Sequence, residues 1–183
     1  NTHARAQTNK QTHAHDNHAG PASQQPVTLI SLFHELLKNG KGNLPALRTE
    51  FPHPVYSGDP ATDASMPPTQ WRTWSFQQYY DDIKTVGRAM LSLGLDRHAS
   101  VNIWGFNSPQ WLLAEMGAIF AGGKAAGIYP TDTPEQILYK IQHSNGQIVA
   151  VQDVKKFQML AAVADKLPNV KAIVCWEFQP SRV

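Results

Sequence analysis

The chain has 183 residues, of which 42% are hydrophobic and 16% charged, and its formal net charge is +2 at pH 7. This length suits one ordinary domain with a flexible tail, and this composition excludes a chain that is disordered throughout. The small, dispersed charge argues against nucleic acid as a main partner, and no apolar run reaches the roughly 20 residues that span a bilayer.

Residues 1–26 are predicted to form a disordered polar tail. They contain no large apolar side chain, so they cannot bury enough surface to offset the entropy lost on ordering. The absence of acids before Asp16 leaves a targeting role open. Three histidines are the tail's candidate metal ligands, with an ordinary polar tail as the alternative: His13, His15 and His18.

The segment from Thr28 to Lys38 is predicted to form an amphipathic helix. Its apolar residues recur at helical spacing, and Asn39-Gly40 is a typical C-terminal stop. A proline-rich connection follows. Within it we predict a strand from Leu47 to Phe51, paired with another from Trp71 to Trp74.

A second helix is predicted to begin at a capping box formed by Ser75 and Gln78 and to end at Gly94. Its apolar residues lie on one face, and Asp81 and Asp82 lie largely on the other. Two adjacent acids are compatible with metal or acid–base chemistry. Because neighbouring residues diverge on a helix, we interpret them as part of a solvated face.

From residue 100 onward, short apolar runs alternate with helical segments. Such alternation is typical of a parallel sheet with right-handed crossovers, so the predicted fold class is α/β, a parallel sheet with flanking helices. The predicted strands are Val101–Trp104, Ala125–Tyr129, Ile148–Val151 and Ala172–Trp176. The predicted helices are Pro109–Ala121 with Ser108 as cap, a segment opened by Thr133-Pro134 and capped with Gln136, and Val154–Lys166.

The sequence Gly122-Gly123-Lys124 invites comparison with a phosphate-binding P-loop. The P-loop pattern needs a glycine where this chain has Ala118 and a hydroxyl where it has Ala125. A helix precedes the glycines and a strand follows them, which reverses the order that exposes backbone amides to phosphate. We interpret the glycines as a tight helix-to-strand turn.

Gly105 to Ser108 lies at a strand end before a helix, where open α/β sheets bind ligands. It lacks both the G-x-G-x-x-G and the G-x-S-x-G spacing. We therefore predict that Asn107 and Ser108 cap the helix, and a ligand role stays open from position alone. Glu115 is the conspicuous polar residue in the apolar helix that follows.

Cys175, the single cysteine, cannot form an internal disulfide, which indicates a reducing compartment. It lies in an apolar run, so a small buried hydrophobe is a better interpretation than a nucleophile. Several aromatic residues could line an apolar pocket or fill the core: Trp71, Trp74, Tyr79, Tyr80, Trp104, Phe106 and Trp111.

Four segments carry a resemblance to a known family. They are T-W-S-F-Q-Q-Y-Y from Thr73, G-R-A-M-L-S-L-G-L from Gly87, G-F-N-S-P-Q-W from Gly105 and F-A-G-G-K-A-A-G-I-Y from Phe120. In these the chain resembles the acyl-adenylate-forming (AMP-dependent synthetase/ligase) superfamily, most of all its bubblegum-type long-chain fatty acyl-CoA synthetases.

The resemblance implies a long-chain fatty acid–CoA ligase that uses ATP, Mg²⁺ and CoA. Residues 27–183 would form the N-terminal part of its large domain, truncated before the phosphate loop. The sequence contains no T-S-G-T-T-G-x-P-K, Y-G-x-T-E or T-G-D motif. The resemblance therefore assigns no catalytic, cofactor-binding or metal-binding residue to this chain, and we expect the chain alone to be inactive and to bind none of these cofactors tightly.

Other interpretations remain open at the level of sequence. The acyl substrate could be another acid, or a truncated synthetase fold could act as an interaction module. The first residue is Asn1 rather than Met, which we read as a fragment or processed product. The expected partners are a fatty acid and CoA. The expected location is intracellular, in the cytoplasm or peripherally on an organelle membrane.

Overall fold

The computed structural model describes residues 26–51, 58 and 65–177. The predicted disordered tail, except for Pro26, and its three histidines lie outside these residues. The described helices are α1 Leu29–Lys38, α2 Phe76–Ser92, α3 Pro109–Phe120, α4 Pro134–His143 and α5 Val154–Ala161. The described strands are β1 Pro45–Thr49, β2 Arg72–Ser75, β3 Ser100–Trp104, β4 Lys124–Ile128, β5 Gly146–Val151 and β6 Ala172–Cys175.

Side chains define where the helices begin, largely as the sequence predicts. Capping boxes open α1, α2 and α4, and Ser108 caps α3 with Pro109 in its first turn. Such caps satisfy backbone N–H groups that have no partner inside a helix. The predicted starts of these helices are confirmed.

The predicted helix from Val154 to Lys166 is wrong in its second half. The α-helix ends at Ala161, and a short 3₁₀ helix follows from Ala164 to Lys166. Between them Val163 has φ −125° and ψ 20°, outside the helical region, and its side chain packs against the core. Packing of this β-branched residue therefore prevails over the apolar periodicity.

Strands β3 to β6 form a parallel sheet in the order β4-β3-β5-β6, and β1 and β2 form an antiparallel hairpin. The α/β prediction and the pairing of the two early strands are confirmed. The chain runs from β3 outward to β4 and then crosses to β5 on the other side of β3. The direction of winding thus reverses between β3 and β5, which is a topological switch point.

The two faces of the sheet are covered by different helices. Val101, Ile103, Ile148 and Ala150 project toward α2 and α3, where they meet core residues such as Ala118. The alternate residues of β3 and β5, including Trp104 and Val149, project toward α4 and α5. Burial on both faces explains why β3 and β5 are mostly apolar along their length, with Ser100, Asn102 and Gln147 as their buried polar residues.

A third cluster attaches the hairpin and α1 to the sheet. Phe33 of α1 contacts the rings of Phe76, Tyr79, Tyr80 and Phe120, with ring centroids 5.6–6.4 Å apart. Helices α2 and α3 approach closely at a glycine pair: a Cβ atom at Gly117 would lie 2.6 Å from Val86 Cγ1, and one at Gly87 would lie 3.1 Å from the Gly117 carbonyl oxygen. Aromatic packing and this close approach join α2 and the hairpin firmly to the sheet.

At the amino end of the sheet, Asp96 is the centre of a polar network. Gln147 Nε2 and Lys171 Nζ donate to Asp96 Oδ2 at 2.7 and 2.8 Å, and the Asp96 N–H donates to Gln147 Oε1 at 2.9 Å. These hydrogen bonds hold the pKa of Asp96 below its ordinary value, and the one from Lys171 has the largest effect.

Asn102 of β3 lies fully buried beside this network. Its Nδ2 donates to Ser144 Oγ at 3.0 Å. A Cβ atom at Gly146 would lie 2.0 Å from Asn102 Oδ1, so only glycine fits at the start of β5.

None of the helices formed by residues 26–51 and 65–177 is long and apolar enough to cross a membrane.

Candidate functional site at the carboxyl end of the sheet

The switch point places the carboxyl ends of β3 and β5 side by side. Gln152, just after β5, ties these ends together: its N–H donates to the Trp104 carbonyl oxygen at 3.1 Å, and its Oε1 accepts from the Phe106 N–H at 2.8 Å. Its Nε2 donates to Glu177 Oε1 at 2.7 Å. One side chain thus connects the loops after β3, β5 and β6.

Gly105 is required where these loops meet. A Cβ atom there would lie 2.6 Å from Trp176 Cζ2 and 2.9 Å from Gln152 Cβ. The absence of a side chain at Gly105 lets the Trp176 ring lie against the end of β3, and the next residue, Phe106, is 64% accessible. The tight turn closes the end of β3 and presents an aromatic ring.

A second exposed aromatic ring, Tyr129, follows the neighbouring strand β4 and is 71% accessible. Its N–H donates to Asp132 Oδ2 at 2.9 Å, and Lys140 Nζ lies 4.6 Å from its ring centroid. Lys140 also pairs with Asp132 at 2.5 Å. The ring is therefore held in place by a cation–π contact and a fixed loop.

A groove of about 430 Å³ opens between the hairpin and the start of α3. Its lining includes apolar residues and the polar residues Arg48, Thr49, Asn107 and Ser108. Guanidinium, hydroxyl and amide groups beside apolar walls suit a ligand or chain segment with an apolar part and an acceptor group. The lining residues are Leu47, Arg48, Thr49, Asn107, Ser108, Pro109, Trp111 and Leu112.

The start of α3 contributes little to anion binding in this groove. Ser108 Oγ accepts the N–H of Trp111 at 3.2 Å, and Pro109 has no N–H. The predicted cap role of Ser108 is confirmed. Asn107 is not the cap: it is exposed and lines the groove, because the N-cap position belongs to the residue after it.

Gly122-Gly123-Lys124 lies at the opposite, amino end of the sheet. The N–H of Gly122 donates to Ile119 and that of Gly123 to Ala118, and Gly122 has φ +79°, which favours glycine. The amides are used within the turn, and Lys124 begins β4. The interpretation as a turn is confirmed.

The remaining polar candidates have structural surroundings. Asp81 is exposed and pairs with Lys84 at 2.9 Å, as expected of a solvated face, whereas Asp82 accepts the indole N–H of Trp74 at 3.0 Å. Glu115 is half-buried; burial, and then the charge of Glu115, raise the pKa of Tyr79 to about 12.

Cys175 also follows the structural interpretation. It is half-buried in β6, and burial, together with the nearby Asp153, raises the pKa of its thiol. A raised thiol pKa disfavours the thiolate that a nucleophile needs.

The seven aromatic residues do not converge on one pocket. Trp74, Tyr79 and Trp104 are buried in two different clusters, Trp111 lines the groove, and Phe106 is exposed. Within residues 26–51, 58 and 65–177, no three or more His, Cys, Asp and Glu side chains converge on a point where a metal ion could be held.

Two features escaped prediction from the sequence. Arg48 reaches the groove from a strand some sixty residues before α3, and only the fold brings them together. The buried indole N–H groups of Trp104 and Trp176 have no acceptor among the described residues. Both tryptophans lie at the ends of predicted strands. That position predicts burial of the ring, but it does not predict whether the indole N–H has a hydrogen-bond acceptor.

The chain is similar in sequence to a family of known enzymes. The family model described as "AMP-binding enzyme" matches residues 53–183. The long-chain-fatty-acid–CoA ligase ACSBG2 of Xenopus laevis is 38% identical over 153 residues, which are 84% of this chain and 18% of that protein. The ligase ACSBG1 of Mus musculus is 33% identical over 160 residues, 87% of this chain and 20% of that protein. The chain thus spans about a fifth of the length of these relatives.

Solved structures share the fold. The adenylation domain of a carboxylate reductase from Mycobacterium chelonae superposes with a TM-score of 0.68 at 19% identity, over 88% of this chain and 25% of that one. The anthranilate CoA ligase AuaEII, in complex with anthranoyl-AMP, superposes with a TM-score of 0.63 at 20% identity, over 80% and 24%. At these identities the match concerns the fold alone.

Proposed function

The chain belongs to the AMP-binding enzyme family, and from that premise we propose that it forms the first part of the large domain of a long-chain fatty acid–CoA ligase. The sequence similarity to long-chain-fatty-acid–CoA ligases over most of the chain is the observation that carries the proposal. In the proposed reaction a fatty acid carboxylate displaces pyrophosphate from ATP to give an acyl-adenylate. The thiol of CoA then displaces AMP to give the thioester.

The proposed contribution of this chain is positional. The sheet, packed on both faces, and the link that Gln152 makes between three loops would hold a rigid wall of the substrate site. Exposed Phe106 and Tyr129 at the same edge would contact the part of the enzyme that completes the site. Rigid elements of this kind place reacting groups without taking part in the chemistry.

We assign no magnesium site and no ATP phosphate site to the described residues. The described residues hold no suitable cluster of carboxylates, and the sequence lacks a glycine-rich phosphate loop. No step of the reaction is therefore assigned to a residue of this chain. We propose that the 183 residues alone neither adenylate a fatty acid nor bind ATP tightly.

A graft tests the proposal. The matching segment of the Xenopus laevis ligase is replaced by this chain, and formation of long-chain acyl-CoA is measured beside the unaltered ligase and a ligase lacking the segment. We expect the graft to keep activity within about ten-fold of the unaltered ligase, because the fold and the packing are shared. A folded graft without activity would contradict the proposal and favour an interaction module.

Two further measurements define the proposal more closely. Fatty-acid-dependent ATP–pyrophosphate exchange by the 183 residues alone would overturn their proposed inactivity. If the graft preferred a medium-chain or aromatic acid, the proposed substrate would change from a long-chain fatty acid to that acid.

We propose an intracellular location, cytoplasmic or peripheral on an organelle membrane, which the single unpaired Cys175 supports.

A further inference from the structure

Two asparagines of this chain are followed by glycine, Asn39 by Gly40 and Asn145 by Gly146. Asparagine is a thermolabile residue, because the backbone nitrogen of the next residue can attack its side-chain amide. A glycine in that next position has no side chain to shield the attacking nitrogen. The two dipeptides share this chemistry, but the fold places them in different surroundings.

Asn145 lies in the turn between α4 and β5. It is exposed, and its φ of +55° is a left-handed conformation that asparagine adopts more readily than most residues. Its carbonyl oxygen accepts the Ser100 N–H at 3.4 Å, which is long for a hydrogen bond whose usual length is about 2.9 Å. The start of β5 is therefore held only weakly to β3 here. Gly146 is the buried first residue of β5, and its nitrogen reaches the side chain when this end of the strand opens locally.

A neighbouring side chain favours attack at Asn145. Asn169 Nδ2 donates to Asn145 Oδ1 at 3.3 Å, at the exposed surface. A donor at this oxygen makes the amide carbon more electrophilic and stabilises the negative charge that develops on the oxygen as the nitrogen adds. Asn169 thus stands where an assisting group for this reaction is needed.

We propose that Asn145 is a site of spontaneous deamidation in the folded chain, assisted by Asn169, and that its isoaspartyl product disrupts the amino end of the sheet. The Gly146 nitrogen forms a bond to Asn145 Cγ, and its proton leaves with the side-chain nitrogen as ammonia. Water then opens the cyclic imide at one of its two carbonyl carbons, which gives aspartate or isoaspartate. The site is independent of the proposed ligase activity.

The two products differ in what they do to the fold. In isoaspartate the chain runs through the former side chain, so the backbone before Gly146 is longer by one methylene group. Even a Cβ atom at Gly146 would lie 2.0 Å from Asn102 Oδ1, so the lengthened backbone displaces the buried amide from Ser144. The aspartate product keeps the backbone unchanged, and its carboxylate still accepts from Asn169.

Asn39 provides an internal control for this consequence. It is the C-cap of α1, and the N–H of Gly40 donates to the Leu37 carbonyl oxygen at 3.0 Å. A Cβ atom at Gly40 would meet nothing within 4 Å, so an added methylene group has open space there. Isoaspartate at position 39 should therefore leave the stability of the sheet unchanged.

The test incubates the folded 183-residue chain at mildly alkaline pH and physiological temperature. Peptide mass spectrometry follows the mass gain at each asparagine, and protein isoaspartate methyltransferase labels the isoaspartyl product. We expect Asn145 to convert, and Asn169→Ala to slow this conversion about three-fold while the rate at Asn39 stays the same. Asn145→Gln, which keeps an amide on a longer side chain, should remove the label at this position.

Urea denaturation of the forms separated by ion exchange measures the consequence. The isoaspartyl form at position 145 should have a ratio of folded to unfolded molecules at least about ten-fold lower than that of the unmodified chain. The isoaspartyl form at position 39 and the variant Asn145→Asp should unfold like the unmodified chain.

Three results would overturn the proposal. The first is an Asn145 that stays intact while Asn39 converts. The second is an equal rate of conversion at Asn145 in Asn169→Ala and in the unaltered chain. The third is an isoaspartyl form at position 145 that is as stable as the unmodified chain.

Discussion

The amino and carboxyl ends of the same four-stranded sheet satisfy their polar groups in different ways. At the amino end, Asp96 and Gln147 exchange two hydrogen bonds, and buried Asn102 is paired with Ser144. At the carboxyl end, the described residues leave two buried indole N–H groups unpaired, and two aromatic rings lie exposed. These polar groups of the amino end are paired with one another, whereas the carboxyl end combines unpaired, buried indole N–H groups with exposed aromatic rings.

This difference follows the general division of labour in α/β sheets, whose ligands bind beyond the carboxyl ends of the strands. It also gives an expectation for mutations. Removing a paired polar group at the amino end should reduce stability more than removing an unpaired indole N–H at the carboxyl end.

The largest effect is expected for Gly146→Ala at the amino end. The new Cβ atom would lie 2.0 Å from Asn102 Oδ1, so the buried amide must move and lose its hydrogen bond to Ser144. We expect the free energy of unfolding to fall by about 3 kcal/mol, the sum of overpacking and an unpaired buried group. Urea denaturation followed by circular dichroism measures the change.

Gly127→Ala in β4, the strand on the other side of β3, is the matched control. Its Cβ atom would lie 3.5 Å from Trp111 Cζ2, an ordinary van der Waals contact. We expect a change of less than about 1 kcal/mol. If the free energy of unfolding fell equally in the two variants, strand glycines in general would be sensitive to replacement by alanine. The contact with the buried amide of Asn102 would then not explain the loss at Gly146.

A smaller effect is expected from removing one polar group at each end. Ser144→Ala leaves the amide of Asn102 buried without its partner and should lower the free energy of unfolding by about 2 kcal/mol. Trp176→Phe removes an N–H that bonds to none of the described residues, so the loss should stay below about 1 kcal/mol. Thermal and urea unfolding measure both variants. A larger loss of stability in Trp176→Phe than in Ser144→Ala would contradict the proposed difference between the two ends of the sheet.

The smallest effect concerns the pH dependence of Asp96. Its pKa in the folded protein lies below the value of 3.8 expected when unfolded, owing to hydrogen bonds from Lys171 and then Gln147. A lowered pKa stabilises the fold above pH 3.8, and this stabilisation disappears as the pH falls through the folded-state value. We expect Asp96→Asn to be less stable than wild type at pH 6 and to approach it at pH 2–3.

Solvent exposure of Asp96 keeps this effect small, and added salt should reduce it further. Urea denaturation of both proteins at several pH values is the measurement. A stability difference between the two proteins that grows on acidification would contradict a lowered pKa of Asp96 in the folded state.

The sequence predicted most of the secondary structure because its signals are local. Capping boxes, Ser108 with Pro109, and short apolar runs each depend on neighbouring residues. The break in the last helix was missed because it depends on Val163 packing into a core that the sequence does not display. The strand order and the groove beside Arg48 were missed for the same reason, since both depend on residues far apart in the chain.

The 42-residue separation between Asn102 and Ser144 has a consequence for synthesis on the ribosome. At about 5 to 20 residues per second, roughly 2 to 8 seconds pass between the addition of the amide and that of its partner. During that interval the Asn102 amide has no partner, and the edge of β3 that later pairs with β5 is open. The apolar helix α3 has already been synthesised by then. Nascent chains halted when α3 has emerged from the ribosome but β5 has not should therefore bind chaperones more strongly than chains halted after β5 has emerged.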